Sequence, residues 1–200
     1  MTTLTLQKDT RATILETGQM LMSRKGFSAV GLNEILAQAS VPKGSFYHYF
    51  ASKDAFGEAI LAAYFEEYLA GMDELFARPG LTMAERVMRY FDDWREAQGA
   101  FDCQGRCLAV KLGAEVSDLS EAMRLALKRG TGGIIARLRT AIEAGAAEGS
   151  LHVADAAGEV AASLYHQWLG ASVMVKILRT HEPFETALLS TRRMLGIAVA

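Results

Sequence analysis

Apolar side chains along this chain recur three and four residues apart, and no stretch alternates apolar with polar as a half-buried strand would. Ile14, Leu15, Met20, Leu21 and Met22, with Ala12 and Gly18, form one broad stripe. It predicts a helix from about Asp9 to Lys25, capped by Asp9 or Thr10 and stopped by Gly26. Leu32, Ile35, Leu36 and Ala39 repeat at i, i+3, i+4 and i+7 and predict a short helix ending at Ser40-Val41-Pro42, because proline disfavours helix at the residue before it. A second short helix opens at Lys43-Gly44-Ser45 and runs through Phe46-Tyr47-His48-Tyr49-Phe50. Two such helices joined by a tight turn make a helix-turn-helix unit.

The helical spacing continues to the end. Ser52 caps a longer helix, with Asp54 in its first turn, that passes through Phe56, Ile60, Tyr64 and Leu75 to Pro79-Gly80. Thr82-Met-Ala-Glu85 is a capping box for a fifth helix to about Gln98, and Cys107 to Val116 is the sixth. Asp118-Leu-Ser-Glu121 is a box-like start for a seventh, to about Glu148, softened by Gly130, Gly132 and Gly133. Asp155 begins an eighth to about Thr180, and Pro183 suits the first turn of a ninth. The expected fold is therefore all-α, about nine helices, with a small three-helix module over 1–53 and a larger helical body over 54–200.

Composition sharpens this picture. Half of the residues are apolar and 22% are charged, which favours a packed core over disorder. The net charge of −2 hides an asymmetry. Residues 1–53 hold Lys8, Arg11, Arg24, Lys25, Lys43 and Lys53 against Asp9, Glu16 and Glu34, while the body is acidic. A basic head on an acidic body suits a nucleic-acid module joined to something else. The N-terminus has no apolar run of a signal peptide, and the longest uncharged run, Val160 to Val175, is short for a membrane span. Two cysteines do not make a disulfide framework; a reducing cytoplasm is expected.

The segment Val41-Pro-Lys-Gly-Ser-Phe-Tyr-His-Tyr-Phe-Ala-Ser-Lys-Asp is the most informative. Lys43 and Ser45, with free backbone N–H groups, suit a phosphate or a guanine edge, and Gly44 permits close approach to a groove floor. Tyr47 and His48 can hydrogen-bond phosphates, and Lys53 adds another such contact. At least two of Phe46, Tyr49 and Phe50 should pack inward against Ile35 and Leu36. Gly26-Phe27, Ile35-Leu36, Ala39, Val41 through Phe50 and Ser52-Lys53-Asp54 together make residues 10–56 resemble the DNA-binding domain of the TetR family of repressors. The resemblance implies a homodimer on double-stranded DNA with a palindromic operator. Lys43, Gly44 and Ser45 then face the groove, and Tyr47, His48 and Lys53 clamp the backbone. It also implies that residues 54–200 sense an effector and dimerise through the last two helices. Ala161, Ala162, Gly170, Ala171 and Ser172 permit close helix approach there, and Leu164, Trp168, Val175 and Leu178 supply buried area.

The stretch Gly105 to Arg124, with Trp168-Leu-Gly-Ala-Ser and Lys176, is similar to a subgroup of that family inactivated by reactive electrophiles and oxidants. Cys107 sits at the start of a predicted helix beside Arg106 and one turn from Lys111, where cations and a helix N-terminus stabilise a thiolate. The resemblance implies that Lys176 folds back as a third cation or as a partner for oxidised sulfur. Two alternatives remain. Phe91, Trp94, Tyr165, Trp168 and Met174 could line a pocket for a reversible apolar inducer, leaving Cys107 structural. A thiol enzyme would need a base near Cys107, and none is close in sequence, so no enzyme is expected. No cofactor or metal is expected either: Cys103 and Cys107 have no third soft ligand nearby, and His152, His166 and His181 are scattered.

Overall fold

The structure, a computed structural model, describes residues 2–103 and 107–198. Among these are nine helices and no strand. They are α1 (Thr2–Lys25), α2 (Leu32–Ala39), α3 (Lys43–Tyr49), α4 (Lys53–Phe76), α5 (Met83–Cys103), α6 (Leu108–Leu119), α7 (Glu121–Glu148), α8 (Ala157–Leu178) and α9 (Glu182–Met194). Two compact units result. The first comprises the described residues of 1–66 and 107–130, the second those of 67–106 and 131–200. α4 and α7 each contribute to both.

Local chemistry explains most boundaries. Ser52 Oγ accepts the Ala55 N–H at 3.0 Å to start α4. Thr82 and Glu85 close their reciprocal box at the start of α5, at 2.7 and 3.3 Å. Their bonds also hold the Glu85 carboxyl below the usual carboxylate range. Other boundaries differ from expectation. α1 begins at Thr2, because no glycine or proline precedes Asp9 to stop it. α5 runs through Gly99 to Cys103, a glycine being tolerated inside a helix. Asp118 lies in the last turn of α6, so the box with Glu121 does not form; Ser120 is the junction and its Oγ accepts the Met123 N–H at 3.5 Å.

The first unit packs α1 closely on α4. A Cβ added at Gly18 would lie 2.4 Å from the Phe56 ring and 2.9 Å from Ile60 Cδ1. Ile14, Met22, Ile35, Phe46, Phe56, Ile60 and Leu61 are almost fully buried around that approach. The second unit centres on an aromatic stack. Trp168 lies between Phe91, with ring centroids 4.8 Å apart, and Phe184, at 5.7 Å, both nearly parallel to it. Both indole N–H groups are satisfied there: Trp94 donates to Ser172 Oγ at 2.9 Å, and Trp168 to Thr191 Oγ1 at 2.8 Å.

Candidate functional site

The turn between α2 and α3 is built by three residues. Ser40 takes a left-handed backbone (φ 55°) as the C-cap of α2, Val41 N–H bonds back to Leu36 O at 3.0 Å, and Pro42 caps α3. α3 then has two sides. Phe46 and Phe50 point inward and ring-pack on Phe56 of α4, at 5.2 and 4.8 Å. Tyr49 is half-buried. Lys43, Gly44, Tyr47 and His48 are exposed, and Ser45 is half-buried. Tyr47 is 55% exposed although its ring packs at 87° to that of Phe46, so its phenol is free to reach outward. This is a short helix anchored by phenylalanines, with a lysine, a tyrosine and a histidine presented to solvent.

Lys53 is placed differently from the other residues expected to meet DNA. Its Nζ donates to Phe27 O at 2.9 Å and lies 4.5 Å from the Phe27 ring centroid, so it ties α4 to the turn after α1. Glu115 of α6 grips the same turn, accepting the Phe27 N–H at 3.0 Å and the Ser28 N–H at 2.7 Å. Burial opposes charge on Glu115, but the bonds from Ser28 and Phe27, with Lys111 nearby, outweigh it and hold the carboxyl below its usual range. Lys25 and Glu34 pair across the α1–α2 turn at 2.5 Å.

Cys107 is the N-cap residue of α6, a free thiol 9% exposed. The Tyr64 hydroxyl donates to its Sγ at 3.5 Å. Lys111 lies one turn along α6 and its N–H bonds to Cys107 O at 2.9 Å. Arg106 falls outside the described residues. Lys176 stands in the last turn of α8, half-buried. Of the aromatics named for a pocket, Phe91, Trp94, Tyr165 and Trp168 are all buried and pack on one another, while Met174 is 42% exposed. A groove of about 510 Å³ opens elsewhere in the second unit, lined by Phe76, Met83, Ala136, Ala141 and the Asp73–Arg137 pair. Among the described residues no group of three or more His, Cys, Asp or Glu side chains converges to hold a metal, and no helix is long and apolar enough to cross a membrane. Sequence reasoning missed Glu115 and Tyr64. No local pattern marks either, since their partners lie 88 and 43 residues away.

A basic, solvent-facing second helix on a phenylalanine anchor defines a helix-turn-helix regulator, and the comparisons agree. Residues 14–60 match the tetR family of bacterial regulatory proteins, and residues 84–190 match the tetracyclin repressor-like C-terminal domain. The chain belongs to the TetR family. It is 40% identical over 190 residues to the HTH-type transcriptional repressor NemR of Escherichia coli K12, covering 95% of this chain and 96% of that one. The crystal structure of the reduced form of NemR superposes with a TM-score of 0.90 over 96% of this chain and all of that chain. The HTH-type transcriptional repressor DhaR of Mycobacterium sp. GP1 is 31% identical over 175 residues, 88% of this chain and 86% of DhaR.

Proposed function

We propose that this TetR-type transcriptional repressor binds a palindromic operator as a homodimer and releases it when a small electrophile or oxidant reacts with Cys107. The observation that carries the DNA reading is the division of α3 into a buried Phe46 and Phe50 side and an exposed Lys43, Tyr47 and His48 side. Lys43, Gly44 and Ser45 read the groove, while Tyr47 and His48 hold phosphates; Lys53, whose Nζ gives one N–H to Phe27 O, offers a phosphate its remaining donors. One seven-residue helix makes few contacts, and two heads on one site supply the affinity. Val173, Met174 and Ile177 on α8, with Leu189 on α9, are exposed apolar residues suited to cover by a second copy.

For the sensing step, the near-complete cover of Cys107 favours a small reagent. With an activated alkene, the sulfur forms a bond to the β-carbon and the thiol proton ends on the α-carbon. With a peroxide, the sulfur takes one oxygen to become a sulfenic acid and the other leaves as water or alcohol. Either adduct must displace the Tyr64 hydroxyl or the first turn of α6. The groove beside Phe76 and Met83 supports a second reading, a reversible apolar inducer. Operator selected from random duplex DNA is titrated against wild-type and Cys107→Ser protein, before and after acrylamide, with intact mass read in parallel. The covalent reading expects one adduct and loss of binding in the wild type, with binding retained by the variant. Equal release from both would sink it.

A further inference from the structure

Cys107 and the turn that leads into α2 sit at opposite corners of one closed frame. From its cap at Cys107, α6 runs eight residues to Glu115, roughly 12 Å. Glu115 there binds the Phe27 and Ser28 N–H groups, one on each carboxylate oxygen. From Lys53, which holds Phe27 O, α4 runs eleven residues to Tyr64, roughly 16 Å, and Tyr64 touches the Cys107 sulfur. The turn is shaped to receive the carboxylate. Gly26 has φ 92°, and a Cβ there would lie 2.9 Å from Glu115 Oε2. Beyond the turn, α2 and then α3 follow, so the pose of the Phe27–Ser28 turn sets where the reading helix points.

We propose that Glu115 is a positioning residue for operator binding: its two-oxygen grip on the Phe27–Ser28 turn holds the head in its DNA-competent pose and transmits movement of α6 to it. The first half of this stands without any claim about Cys107; the transmission half rests on Cys107 being the reacting thiol. A carboxylate is needed because two N–H donors face it, and charge-assisted bonds are about twice as strong as neutral ones. A glutamine offers one oxygen and turns its own N–H₂ toward the second donor. An aspartate keeps the charge but withdraws it by one methylene.

The test uses full-length Glu115→Gln and Glu115→Asp proteins, operator titration, and amide NMR of Phe27 and Ser28. Glu115→Gln is expected to lose about ten- to a hundredfold in operator affinity, within the range of ordinary coupling between sites. Glu115→Asp should recover part of that loss, and the two amide resonances should move upfield as their bonds weaken. Affinity within twofold of wild type in both variants would overturn the positioning role, as would a loss in Glu115→Gln that Glu115→Asp does not reduce. Acrylamide on wild-type protein tests transmission. The same two amides are expected to shift as DNA is released; release with those amides unmoved overturns transmission alone. If alkylation releases no DNA, it is the Cys107 reading that falls, and the variants still judge Glu115.

Discussion

The head uses its aromatic residues to hold one side of a seven-residue helix and leave the other side in water. The second unit uses its aromatic residues against each other, Phe91, Trp168 and Phe184 in a stack with Trp94 and Tyr165 at the edge. In the first arrangement burial serves presentation: each anchored phenylalanine fixes where Lys43 and Tyr47 stand. In the second, burial serves stability, because both indole N–H groups and the ring faces are taken by internal partners. The difference explains why a function can be read from residues 41–54 while the same residue types on α5 and α8 say little about what the body binds.

If that contrast is right, a substitution in the stack should act on stability and one on the head's outer side should act on DNA. Trp168→Ala removes a fully buried indole and the donor to Thr191, and is expected to lower unfolding free energy by about 3–5 kcal/mol. Urea unfolding checks it, and a change under about 1 kcal/mol would mean the rings are not the core of that unit. Lys43→Ala should leave unfolding within about 0.5 kcal/mol, since the side chain is exposed. Its operator affinity should fall by about 1–3 kcal/mol if the ammonium reads a guanine. Equal affinity for both proteins would remove Lys43 from the interface and leave the head's contrast with the body unsupported.

How much of this was written locally in the chain follows from the distances along it. Pro42, Gly26, Ser52 and the Thr82–Glu85 box act on neighbours within a few residues, so the nine helices and the bent pair at 32–49 were legible. At least two of Phe46, Tyr49 and Phe50 were expected to turn inward, and Phe46 and Phe50 do; Phe56, on the following helix, is a ring partner not foreseen for them. Glu115 was illegible because a glutamate on the outer side of an amphipathic helix looks the same whether it faces water or two N–H groups 87 and 88 residues away. The aromatics of α5 and α8 pose a similar difficulty: helical spacing places them inward without saying whether they enclose a space or fill it.

The smallest expected effect separates the two kinds of polar tie. Arg137 forks onto Asp73 in the second unit, Nε and Nη2 each at 2.7 Å from one carboxylate oxygen, at the wall of the groove. The Arg137 hydrogen bond, aided by its charge, holds the Asp73 carboxyl below its ordinary 3.8 against the opposing effect of burial. A depressed carboxyl contributes stability above its unfolded value and loses it as pH falls through the folded one, so the window lies below about pH 4. Asp73 is 57% exposed in its side chain, and solvent screening limits the pair to less than about 1 kcal/mol. Asp73→Asn should therefore cost a few tenths of a kcal/mol at neutral pH, with the difference from wild type shrinking toward zero in acid. Its operator affinity should be unchanged, in contrast to Glu115→Gln. A gap in stability that persists after pH has fallen well below the folded value of Asp73 would assign the effect to packing at the groove wall and not to the charge.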